Sequence, residues 1–176
     1  KNNMLVSFSG SNETIKALKK EVSLFELESK ENVQALDVCL NSKIKRALVI
    51  PSEVSYNAKT FNLDESNFEY DGALQILSHI VRYDYLWNKV RVLGGAYGCT
   101  MQVSNVTKEI TLGSFRDPNC KNTYDVYDNL VKYLTDFNPS KEEFNSYLIG
   151  AIGAYDQPAS NSVLINNADS NFICGI

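Results

Sequence analysis

The stretch LWNKVRVLGGAYGCTMQVSNVTKEITLGSF (residues 86–115) decides how this chain folds. Its first part ends a helical pattern, Gly94 and Gly95 stop that pattern, and the remainder alternates apolar and polar residues. Cys99, Met101 and Val103 alternate with Thr100, Gln102 and Ser104, and Ile110 and Leu112 continue the rhythm after a turn at Asn105–Lys108. Alternation of period two around a short polar turn predicts an antiparallel hairpin. Glycine at a helix end tolerates positive φ and admits another chain at close range. Arg91 and Tyr97 flank the two glycines and could aim two hydrogen-bond donors at one spot. A plainer reading stands beside that one: Arg91 pairs with a surface carboxylate and Tyr97 packs at the strand start.

Upstream, Tyr70–Lys89 carries the longest helical signal. Ala73, Ile76, Leu77 and Ile80 keep helical spacing, while Leu74, Val81, Leu86 and Trp87 fill the other sides, so the helix is predicted to be mostly buried. Before it come a strand over Asn2–Ser9 and a helix capped by Ser11 or Asn12 with Ile15, Leu18 and Val22 on one face. The charged segment Glu28–Asn32 reads as a loop or frayed helix end. Ala47–Pro51 with Ser52–Tyr56 reads as one or two strands, the proline marking an edge or bend, and Asn57–Glu69 as a loop.

Downstream, Arg116–Asn119 is a turn cluster, and Asn122 or Thr123 caps a helix with Val126, Leu130, Val131 and Leu134 inward. Asn138-Pro139 stops it. Ser140 with Glu143 forms a capping box ahead of a stripe of Phe144, Tyr147, Leu148, Ala151 and Ile152. Gln157-Pro158 breaks that helix, and a weakly helical stretch follows. Strands grouped with runs of helices give an α+β class: an antiparallel sheet flanked on one side by helices, as one domain over residues 1–176. Both ends read as cuts through a longer polypeptide, so the domain is expected to be a truncated part of a larger protein.

With 44% hydrophobic and 22% charged residues, the composition is that of a globular domain with a proper core. The net charge of −4 without a basic stripe argues against nucleic acid. No apolar run is long enough to span a bilayer, and the first residues lack the pattern of a signal segment. The cysteines Cys39, Cys99, Cys120 and Cys174 are scattered, with no C-x-x-C pair, and read as free or buried thiols in a reducing compartment. One histidine, His79, sits mid-helix. It cannot supply the two or three histidines a catalytic zinc normally takes, nor a Ser-His-Asp or Cys-His pair. The Gly94–Gly98 run lacks the spacing of a phosphate-binding loop and follows a helix where such motifs precede one. Asp117, Asp125 and Asp128 read as solvated charges complementing a helix N-terminus.

The run DGALQILSHIVRYDYLWNKVRVLGGAYG (Asp71–Gly98) resembles the pitrilysin/insulinase-type zinc metallopeptidases, and within them the presequence-protease-like branch. SFRDPN (Ser114–Asn119), YDVYDNL (Tyr124–Leu130) and IGAIGAYDQP (Ile149–Pro158) resemble the same branch in the same order, so the resemblance covers about Val49–Pro158. It implies one of four homologous α+β domains, of the LuxS/MPP-like metallopeptidase kind, that form a two-halved shell around a closed chamber. The zinc motif H-x-x-E-H belongs to the N-terminal half and is absent here, so the resemblance implies the last, C-terminal domain. Arg91 and Tyr97 match the arginine and tyrosine that reach across such chambers to stabilise the tetrahedral intermediate. Gly94 and Gly95 would let an extended peptide pass close, and the peptide could add to a sheet edge. The implied cofactor is zinc in the full-length enzyme, with no ligand in this chain. The implied partners are an unfolded peptide and the N-terminal half of the same polypeptide, with no membrane. The implied compartment is a bacterial cytoplasm, or an organelle in a eukaryote. The alternative is a non-catalytic binding or scaffold module of the same fold.

Overall fold

The computed structural model describes residues 6–23 and 45–175. The chain divides into two compact units: Val49–Gln157, and a second formed from the flanking segments 1–48 and 158–176.

The Val49–Gln157 unit holds the sheet. Its strands are β1 (Ser55–Asn62), β2 (Gly98–Ser104) and β3 (Glu109–Asp117), ordered β1-β3-β2 with both pairings antiparallel. Its helices are α2 (Ala73–Ile80), a π-helix (Val81–Val92), α3 (Cys120–Asp128), α4 (Leu130–Asp136) and α5 (Lys141–Tyr155). The α+β class and the antiparallel sheet are as the residue pattern predicts.

The hairpin forms in the expected register, with Met101 opposite Leu112, Cys99 opposite Ser114 and Val103 opposite Ile110. These inward residues meet Val81, Tyr85, Leu86 and Val90 of the π-helix and Tyr127 of α3 in one buried cluster. Cys99 is thus a core residue, and burial raises its thiol pKa. β2 lies at the sheet edge, but α2 closes part of it. Ser78 Oγ donates to the Met101 carbonyl (2.7 Å) and Gln75 Nε2 to that of Val103 (3.1 Å). Those two positions are not open to an added strand.

Several expectations change. β1 occupies Ser55–Asn62, so only Ser55 and Tyr56 fall in the segment read as strand and Asn57–Asn62 fall in the segment read as a loop, while Ala47–Ile50 does not pair with any described strand. Leu48 and Val49 are almost fully exposed. Apolar character misplaced this strand because its inward side is polar: Asn57 and Lys59 are held by Asp117, Ser114 and Asp128 rather than by an oily layer. The long helix begins at Ala73 and widens at Val81 into π geometry through Val92. Its buried residues 81, 85, 86 and 90 recur at the wider spacing of a π turn, which hides in a sequence read at 3.6 residues per turn. Arg116 and Asp117 end β3 rather than opening a turn, and Asn119 is the N-cap of α3, not Asn122 or Thr123. The helix breaks at Asn129. Val126, Leu130 and Leu134 pack on the core as expected, whereas Val131 is exposed. The Ser140/Glu143 capping box is present, but of the α5 stripe only Ala151 is fully buried, with Phe144 and Ile152 exposed.

In the other unit, α1 (Asn12–Val22) is capped by Ser11, and α6 (Asn161–Cys174) runs from Ser160 to Gly175, which takes φ 70° at its end. Val6–Ser9 is not in a strand. The remainder of that expected strand, Glu28–Asn32 and Cys39 lie outside the described residues. Cys99, Cys120 and Cys174 are free thiols.

Candidate functional site

The site is built from a helix end, a glycine loop and a bulged strand. The π-helix closes with three backbone bonds: Leu93 N–H to Asn88 O, Gly95 N–H to Arg91 O and Ala96 N–H to Val90 O. The last two nest as in a Schellman close, each one residue wider, matching the wider helix they end. Gly95 sits at φ 78°, a conformation costly to any residue with a Cβ. A Cβ on Gly94 would lie 2.5 Å from the Val90 carbonyl oxygen, so that position is also reserved for glycine.

Arg91 and Tyr97 stand on either side of this loop. The Arg91 guanidinium lies 3.8 Å over the Trp87 ring centre, one turn back, in a cation–π contact. Among the described residues it pairs with no carboxylate, which differs from the plainer reading. Tyr97 is 64% exposed. Its N–H donates to Arg116 O (3.3 Å), its ring meets Phe115 at 5.5 Å, and the Arg116 guanidinium lies 5.6 Å from the ring centre. Tyr97 therefore does pack at the strand start, but by its ring. Among the described residues, neither the Tyr97 hydroxyl nor the five N–H donors of Arg91 makes a hydrogen bond or ion pair.

Phe115 and Arg116 belong to a β-bulge. Ser55 pairs with Asp117 and Asn57 with Ser114, so one residue, Tyr56, faces two. Arg116 takes φ 49° within it. Bulges re-aim side chains and gather beside functional sites. Here the Phe115 ring edge occupies the space a Gly98 side chain would fill.

Behind the bulge is Asp117, which the sequence pattern reads as a solvated charge and the fold buries. Asp117 is 1% exposed. Its carboxylate accepts from Ser114 Oγ (2.6 Å), Thr123 Oγ1 (2.6 Å), Asn57 Nδ2 (3.1 Å) and the Asn119 N–H (2.8 Å), and its carbonyl accepts from Ser55 Oγ (2.9 Å). Burial pushes the carboxyl pKa up, and these hydrogen bonds outweigh it, so the group is held below the usual aspartate value. Asp128 instead pairs with Lys59 across to β1. The available signal for Asp117 was the spacing of Ser114, Asp117, Asn119 and Thr123, donors around one acceptor.

His79 points at α5, where Gly150 leaves room for it: a Cβ there would lie 2.5 Å from Nε2. Burial, then the Arg82 charge, lowers its pKa. It lines a cleft of about 490 Å³ between α2, β2 and α5, with Gln75, Arg82, Gln102 and Tyr155. Among the described residues no three His, Cys, Asp or Glu side chains converge as a metal site would require. No described helix is long and apolar enough to cross a membrane.

The π-helix, the glycine loop and the β2–β3 hairpin, with the bulge where β1 meets β3, belong to an α+β domain. A family model described as the PreP C-terminal domain matches residues 45–173, and the chain belongs to that family. It is 39% identical over 168 residues to Protein HypA of Clostridium perfringens, covering 93% of this chain and 17% of that protein. It is 29% identical over 159 residues to Presequence protease 1, chloroplastic/mitochondrial, of Arabidopsis thaliana (89% of this chain, 15% of that protein). It is 30% identical over 111 residues to the mitochondrial presequence protease of Aspergillus oryzae (63% and 11%). The chain thus spans less than a fifth of the length of these relatives.

Proposed function

We propose that this domain is the C-terminal, substrate-binding domain of a zinc-dependent oligopeptidase that hydrolyses peptides in a closed chamber, with Arg91 and Tyr97 as its contribution to the active site. One observation carries the reading: two strong donors flank a glycine loop that only glycine can form, and among the described residues neither the Arg91 N–H groups nor the Tyr97 hydroxyl is spent on a hydrogen bond or ion pair.

The chemistry follows from the donors. Attack on a peptide carbonyl concentrates negative charge on one oxygen. A phenol and a guanidinium already fixed near that oxygen stabilise the charge without reorganising, and one such donor is worth about 10²–10³ in rate. Arg91 is pre-oriented by Trp87, so less freedom is lost when it engages. It also suits the grip of a backbone carbonyl in the ground state. Gly94 and Gly95 keep side chains out of the path of an extended peptide. The described residues do not fit a metal, so no step here is routed through one. In this reading zinc, which polarises the carbonyl and activates water, is held by the N-terminal half of the same polypeptide.

The test is Arg91→Ala against Arg91→Lys in the full-length protein, assayed on an unfolded peptide with a thermal melt alongside. The reading expects both to lower kcat/KM, by about 10-fold or more, with little change in Tm. A loss of Tm at unchanged kcat/KM would restore a purely structural arginine and favour the scaffold alternative.

A further inference from the structure

Beyond the bonds that close its own helix, the glycine loop is held by the end of β3 and the residues just after it. We propose that Asp117 and Asn119 form a clamp that fixes the Gly94–Tyr97 loop and so aims the Tyr97 phenol, making both positioning residues for the hydrolysis proposed above, on which this inference rests.

Asn119 occupies the N-cap of α3, where its side chain is expected to accept from the first helical N–H groups. It makes no such cap bond. Its Nδ2 donates instead to the Gly94 carbonyl at 2.6 Å, across 25 residues of chain. Pro118 abuts the same loop, with its Cγ 3.4 Å from where a Gly95 Cβ would stand. Arg116 O accepts from the Tyr97 N–H. Arg116, Pro118 and Asn119 therefore hold Tyr97, Gly95 and Gly94 in reverse order, as an antiparallel pair of short segments.

Asp117 lies in the middle of the clamp and faces the other way. Its carboxylate gathers β1 through Asn57, β3 through Ser114, α3 through Thr123, and the Asn119 N–H. That fixes the backbone from which Asn119 and Pro118 reach the loop. A surface turn needs no buried carboxylate, whereas a loop that must place a phenol within a fraction of an ångström does. A misplacement of about 1 Å can cost on the order of 10²-fold in rate.

Asn119→Ser separates the roles. Serine is a good N-cap, so α3 keeps its start, but its hydroxyl is too short to reach the Gly94 carbonyl. In the full-length protein, hydrogen exchange over residues 93–98 is expected to speed up about tenfold. On an unfolded peptide kcat is expected to fall about 10- to 100-fold, with KM and Tm nearly unchanged. Unchanged exchange over residues 93–98 overturns the clamp. Faster exchange with unchanged kcat, while Tyr97→Phe remains damaging, overturns the positioning role. Faster exchange with neither variant affecting hydrolysis overturns the positioning role as well, and shows that the proposed function has failed while the clamp holds as structure only. Asp117→Asn is the second variant: where it folds, it is expected to reproduce the loss of kcat and the faster exchange.

Discussion

Asp117 is where a single residue governs the most. Its pKa is lowered in the folded chain, so the unfolded chain, near the ordinary value of about 3.9, binds the proton more readily. The stabilisation it supplies is therefore fully present above that unfolded value and is lost as pH falls through the lower folded value. Asp117→Asn leaves hydroxyl and amide donors without an acceptor, at a cost of about 1–3 kcal/mol near neutral pH. Acid titrations of stability are expected to show a shallower loss below pH about 4 in the variant than in the parent; parallel curves would deny Asp117 its role. The residue was legible only as a charge near a helix start, because nothing in composition says which aspartate is buried. The stop at Gly94 and Gly95 was legible because a glycine pair after a helix restricts local geometry strongly. The Arg91–Trp87 contact was not, since it depends on the last turn of a π-helix that the pattern reads as α-helical and ends at Lys89.

Among the elements, the hairpin was read almost residue for residue, because alternating apolar positions set register as well as existence. β1 was not, because it hides its polar side by hydrogen bonds rather than burying an apolar one. The π-helix was read as an α-helix, because its apolar residues cover nearly every side and so leave the period undefined. The loop that ends it gives a sharp test. Gly95→Ala forces a side chain to φ 78° and is expected to cost about 1–2 kcal/mol. Gly94→Ala, facing the Val90 carbonyl at 2.5 Å, must displace backbone and is expected to cost at least as much. Equilibrium denaturation measures both. Wild-type stability in either variant would mean that the loop is not held as described. Leu86→Ala, in the fully buried centre of the π-helix, is expected to cost about 2–5 kcal/mol by the same measurement.

At the scale of the whole molecule, the chain is a PreP C-terminal domain spanning less than a fifth of its long relatives. The resemblance carried by Asp71–Gly98 and by the segments that follow it reached the family from sequence, since the same residues build the helix, loop and bulge. The isolated domain is expected neither to retain stoichiometric zinc nor to hydrolyse peptides. Metal analysis after gel filtration checks the first, and zinc at one equivalent would contradict it. The central claim is that the Tyr97 hydroxyl acts on the substrate and not on the fold. Replacing it by Phe keeps the ring on Phe115 and removes one oxygen. In the full-length protein, Tyr97→Phe is predicted to lower kcat for an unfolded peptide by about 10²–10³ with Tm unchanged; undiminished kcat would contradict the account.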